Sequence, residues 1–134
     1  MNLEKESKKM SKHETWRTRK YWESIGGLLV EEFVVVSKTK TSSRRTLDGV
    51  IILGEKKSIH PGNFFEIQNK DVIVIQTKPT KLNMSLLGQT FFSGELIKKH
   101  NPKSIKLVAI CKQNDEILHE CAVNKKIEVV IIND

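Results

Sequence analysis

The chain has 134 residues, with 23 Lys and Arg against 16 Asp and Glu, a net charge of +7 and 38% hydrophobic residues. That length suits one domain around a single core, and no apolar stretch approaches the roughly 20 residues that span a bilayer. The basic excess favours a polyanion, chiefly nucleic acid, as partner, while two cysteines exclude a disulfide framework.

Residues 1–12, with Lys5, Lys8, Lys9 and Lys12, read as a flexible basic tail. They are charged and lack the apolar centre of a signal peptide, so a cytoplasmic location is expected. Residues 13–134 are expected to form the domain. A helix is predicted over 13–25, where Trp16, Arg19, Lys20 and Glu23 recur at spacings of three and four. Gly26-Gly27 should end it. Trp16 and Trp22 read as packing residues of that helix.

The composition then shifts to β-formers. Residues 28–37 contain Val30, Phe33, Val34, Val35 and Val36 and are predicted to be a strand. A polar turn over 38–43 leads to a second strand at 45–53. Residues 54–69, with Pro61-Gly62, read as an irregular excursion. A third strand at 71–78 is stopped by Pro79. Residues 83–100 have helical length, with Leu87, Phe91, Gly94 and Ile97 as the expected buried face and Asn101-Pro102 as the stop. Strands are predicted at 105–111 and 127–132, joined by a polar link around Gln113-Asn114-Asp115. A helix between the third and fourth strands requires a crossover, hence an α/β fold with a mixed sheet flanked by helices.

Alternation places Gln76 and Lys78 on one strand face, behind Val72 and Val74, so this strand should begin buried and end polar. Thr77 should face the other way. Asp48 interrupts an otherwise apolar strand. A carboxylate there is costly to bury without a partner; a metal ion, Arg44, Arg45 or Lys78 would serve. The bland alternatives are an Asp48 ion pair and an ordinary polar strand end at Gln76 and Lys78.

Cys111 reads as a core thiol, and His119-Glu120-Cys121 lacks the second pair that a zinc site needs. His13, His60, His100 and His119 show no nucleophile or metal spacing. Gly26-Gly27 precedes a strand, whereas a phosphate-binding loop should follow one.

The run Arg44-Arg45-Thr46-Leu47-Asp48-Gly49-Val50-Ile51-Ile52 and the run Val72-Ile73-Val74-Ile75-Gln76-Thr77-Lys78 together resemble the metal-site strands of the PD-(D/E)xK nuclease superfamily. Glutamine replaces the second acid, in a QxK form similar to that of Mrr-type nucleases. The α-β-β-β-α-β order also resembles that superfamily's core, which includes archaeal Holliday-junction resolvases. The resemblance implies a restriction endonuclease-like fold and a DNA endonuclease dependent on Mg²⁺, for which Mn²⁺ can substitute. It implies Asp48 as central ligand, the Gln76 carbonyl oxygen as a neutral one and Lys78 as the catalytic cation. A further acid from an early element is expected, with Glu32 preferred, Glu31 next and Glu23 third, because neighbours on a strand face opposite ways. Arg44, Arg45 and Lys81 are candidate phosphate contacts, aided by Lys38 and Lys40 in the turn, and Gln89 is a minor candidate on the second helix. So small a domain is expected to act as a homodimer or within a larger complex on duplex or branched DNA. The neutral Gln76 keeps open a second reading, a nuclease-like fold that only binds nucleic acid or protein.

Overall fold

The computed structural model describes residues 15–62 and 64–133. The expected tail over 1–12 and the expected helix start at His13 lie outside the described residues. Helix α1 occupies residues 15–25 and leads into strand β1, Leu28–Val36. Strands β2, Arg45–Ile52, β3, Ser58–His60, and β4, Asp71–Thr77, follow. Helix α2, Met84–Ile97, runs into a 3-10 turn at Lys98–His100. Strand β5, Ser104–Cys111, helix α3, Glu116–Asn124, and strand β6, Ile127–Ile131, complete the chain.

The six strands form one mixed sheet in the order β3-β1-β2-β4-β5-β6. The β1–β2 and β2–β4 pairs are antiparallel, and β4–β5, β5–β6 and β1–β3 are parallel. The α/β class and the mixed sheet therefore stand as the sequence implied. Two elements were not foreseen. Strand β3 lies within the supposed excursion over 54–69, and α3 lies in the supposed polar link after β5. Both are short, and neither carries a strong apolar pattern. No helix of the described residues is long and apolar enough to cross a membrane.

Strand alternation divides the core between two faces. Val50, Ile52, Val72 and Val74 point to one face, with Phe33 and Ile97 of α2 in the same cluster. Ile51, Ile73 and Ile75 point to the other, under Tyr21 and Trp22 of α1. A third cluster joins Leu86 of α2 to Ala122 of α3 through Ala109 and Cys111. Helices α2 and α3 thus share one side of the sheet, and α1 covers the opposite side.

Helix α1 buries Arg17, Thr18, Tyr21 and Trp22, so the Trp16–Arg19–Lys20–Glu23 stripe is its solvent face. Trp22 packs as expected, whereas Trp16 is 40% exposed. Arg17 Nε donates to the carbonyl of Ile132, tying the helix to the chain after β6. Gly26 and Gly27 end α1 at positive φ, and Trp22 Nε1 donates to the Gly27 carbonyl across that turn.

The buried face of α2 is Leu86, Thr90, Ser93, Gly94 and Ile97, which corrects the expected stripe. Leu87 and Phe91 are only half-buried, because they turn toward α3. Thr90 and Ser93 tolerate burial because each hydroxyl donates to the carbonyl four residues back, on Leu86 and Gln89. Asn83 caps the helix by accepting from the Leu86 amide at 2.8 Å.

Candidate functional site

The β2–β4 ladder ends at the Gly49–Ile75 rung. One residue further, Asp48 stands opposite Gln76, where the strands begin to part. The Asp48 carboxylate there takes the place of a backbone acceptor, its Oδ2 receiving the Thr77 amide at 2.9 Å. Gly49 makes this arrangement possible. A Cβ at that position would lie 2.8 Å from Thr18 Cγ2 and 3.1 Å from Leu29 Cδ1, so α1 could not approach the strand as closely.

Gln76 is 7% exposed and sits beneath α2. Its Nε2 donates to Ser93 Oγ at 2.8 Å, and Ser93 Oγ donates onward to the Gln89 carbonyl at 2.6 Å. Because the Ser93 proton is committed to Gln89, the hydroxyl can only accept from Gln76. The amide is thereby oriented, with Nε2 toward the helix and Oε1 away from it.

These groups line a cavity of about 780 Å³. Its β2 wall contains Asp48 with Arg44, Arg45, Thr46 and Leu47 nearby, its β4 wall contains Gln76, Thr77 and Lys78, and α2 contributes Gly88, Gln89, Phe92, Ser93 and Leu96. Among the described residues, Arg44, Arg45 and Lys78 form no ion pair. Among the described residues that line the cavity, three are cations and one, Asp48, is a carboxylate. Such a surface attracts anions.

Five sequence-selected residues therefore meet around one space together with Gln89: Asp48, Gln76, Lys78, Arg44 and Arg45. Lys81 is not part of this lining; it lies 3.9 Å from Asp115 at the start of α3. Thr77 also borders the cavity, and its Oγ1 is buried without a hydrogen-bond partner among the described residues.

The early acids do not complete the site. Glu31 faces α1, where Arg19 holds both carboxylate oxygens at 2.8 and 3.0 Å and is itself raised in pKa by that hydrogen bond. Glu23 pairs with Lys57 at 3.3 Å on the surface. Glu32 lies between the Glu31–Gly49 and Phe33–Leu47 rungs, but it is exposed and does not line the cavity. Its φ of +50° explains why. A left-handed residue breaks strand alternation, so Val30 and Phe33 share the α2 face although three residues apart. The rule that only one of Glu31 and Glu32 could face Asp48 assumed an extended strand. Among the described residues, no three His, Cys, Asp or Glu side chains converge to hold a metal ion.

Sequence reasoning missed Ser93, Gly88 and Phe92. The signal for Gly88 and Phe92 lay in their helical spacing with Leu96 beside Gln89, a stripe outside the expected apolar face. Comparison with protein-family models, with curated proteins and with solved structures found no match.

Proposed function

We propose that this chain is a Mg²⁺-dependent phosphodiester hydrolase acting on DNA, with a restriction endonuclease-like fold and a PD-(D/E)xK-type site in its QxK form. The observation that carries this reading is the meeting of Asp48, Gln76 and Lys78 in one cationic cavity at the parting of two core strands. The order of elements supports it as well. Helix α1, the β1-β2-β4 meander, the α2 crossover and β5 follow the superfamily's order, with β3 added at the sheet edge.

The donor set fits a hard cation of modest affinity. Mg²⁺ prefers oxygen and usually keeps several waters beside one or two protein carboxylates. Asp48 would provide the charged ligand and Gln76 Oε1 the neutral one, since Ser93 turns the amide nitrogen away. When bound, the ion would supply Lewis-acid polarisation of a phosphate and a water of lowered pKa. Lys78 stabilises the negative charge that grows on the phosphate. Arg44 and Arg45 hold neighbouring phosphates and so fix the strand without reading its sequence. A homodimer or larger complex would supply the surface that so small a domain lacks.

The test is cleavage of supercoiled, linear and branched DNA with Mg²⁺ or Mn²⁺. The wild-type protein is expected to cut at least one of them, and Asp48→Ala to abolish cutting while its circular dichroism stays unchanged. If every substrate remains intact, the hydrolase reading falls.

A second reading, a binding module on the same fold, is favoured by two observations: Glu31 is engaged by Arg19, and Glu32 lies outside the cavity. It expects salt-dependent DNA binding that persists in EDTA, with no cleavage and no Asp48-dependent uptake of divalent ions.

A further inference from the structure

The α2 wall of the cavity has two features that metal or phosphate binding leaves unused. Phe92 is 64% exposed although it borders the cavity. Its ring is held edge-on by Phe91, with centroids 5.5 Å apart and an interplanar angle of 89°. One turn earlier stands Gly88, in the interior of a 14-residue helix. Glycine is the least favourable residue there apart from proline. Packing usually explains such a choice, as at Gly94, where a Cβ would meet Leu107 Cδ2 at 2.8 Å. At Gly88 a Cβ would meet nothing within 4 Å, so no neighbour in the described structure requires the glycine.

Gly88 and Phe92 are four residues apart and therefore lie one above the other on the helix surface. Together they form a bare backbone step beside a supported aromatic ring, facing Arg44, Arg45 and Lys78 across the cavity. Cations that hold phosphates, paired with an exposed ring, are the combination that binds unpaired nucleotides: the ring takes the base and the cations take the backbone. A base inside a duplex keeps its faces stacked on its neighbours and cannot use the ring.

We propose that an unpaired nucleotide of a DNA strand binds here, its base stacked on Phe92 and its edge passing over Gly88. The favoured substrate is then single-stranded, flapped or branched DNA rather than continuous duplex. This rests on the reading that the cavity receives nucleic acid, but it does not require hydrolysis.

The experiment measures binding of a labelled 20-nucleotide single strand and of the matching blunt duplex by fluorescence anisotropy, in EDTA at fixed salt. Wild-type protein is expected to prefer the single strand. Phe92→Ala and Phe92→Leu should each weaken single-strand binding about tenfold, and Phe92→Trp should retain it. Duplex binding should change little in all three. Gly88→Ala should raise Tm by about 2–5 °C through helix propensity and still weaken single-strand binding, a pair of opposite effects that a structural role would not produce. Equal affinity for both DNAs, or full binding by Phe92→Leu, overturns this proposal while leaving a nucleic-acid cavity standing. Failure to bind either DNA overturns both.

Discussion

At the Ile52–Val72 end of the β2–β4 pair, the α2 face of the sheet is sealed. Val50, Ile52, Val72 and Val74 are at most 1% exposed and lie in one cluster with Ile97. At the Asp48–Gln76 end, the same strands present a carboxylate and an amide on the same side, and the helix above offers Ser93, Gln89 and Gly88. The register runs unbroken from Ile52–Val72 to Gly49–Ile75 and stops one residue short of Asp48 and Gln76, where the strands part. The covering helix differs as well, apolar at its C-terminal end and polar in its middle. A site can therefore be built at the rim of a core without disturbing the ladder that carries it.

That contrast sets the order of expected effects. Ile52→Ala, at the dry end, removes fully buried methyl groups and leaves a cavity, at a cost of about 2–5 kcal/mol by urea denaturation. Ser93→Ala, at the polar end, strands the buried Gln76 amide and is expected to cost about 1–3 kcal/mol. If Ser93→Ala proves as damaging as Ile52→Ala, the polar end is itself part of the core and the contrast fails.

Asp48→Asn keeps an acceptor for the Thr77 amide but loses its charge, so stability should fall by only about 1 kcal/mol. Cleavage should nonetheless drop by more than about a hundredfold, as for other groups that stabilise transition-state charge. DNA binding in EDTA should strengthen, because a carboxylate beside Arg44, Arg45 and Lys78 is gone. Weakened binding would break the assignment of Asp48 to an anion-accepting cavity.

The smallest effect concerns the two thiols. Burial pushes the Cys111 thiol above its ordinary pKa, and its Sγ donates to the Gln113 carbonyl, whereas Cys121 is exposed. Iodoacetamide at pH 8 should label Cys121 in the native protein, and Cys111 only after denaturant is added. Peptide mass spectrometry reads this directly.

The long apolar strands and helix α2 were legible in the sequence because each carries a strong local signal: the unbroken β-branched run Val72-Ile73-Val74-Ile75 in β4, and helical length with Asn101-Pro102 as a stop for α2. Strand β3 was not, since its three residues pair with β1 over only three rungs and bury no side chain fully. Helix α3 buries only Ala122 of its nine residues, so its apolar face is too thin to read. At the site, alternation brought Gln76 to the face of Val72 and Val74, as the structure has it. It failed at Glu31 and Glu32, because a left-handed Glu32 has no signature in residue type. Ser93 was missed for a different reason: a hydroxyl bonded back to its own helix looks, in sequence, like an ordinary small residue.

The most direct measurement is a crystal of the protein soaked in Mn²⁺, with anomalous diffraction locating the ion. A peak between Asp48 and Gln76 Oε1, with Gln76 Nε2 still on Ser93 and Lys78 alongside, is the expected result. An ion bound elsewhere, or no ion with the Gln76 amide turned so that Nε2 faces the cavity, would contradict the account.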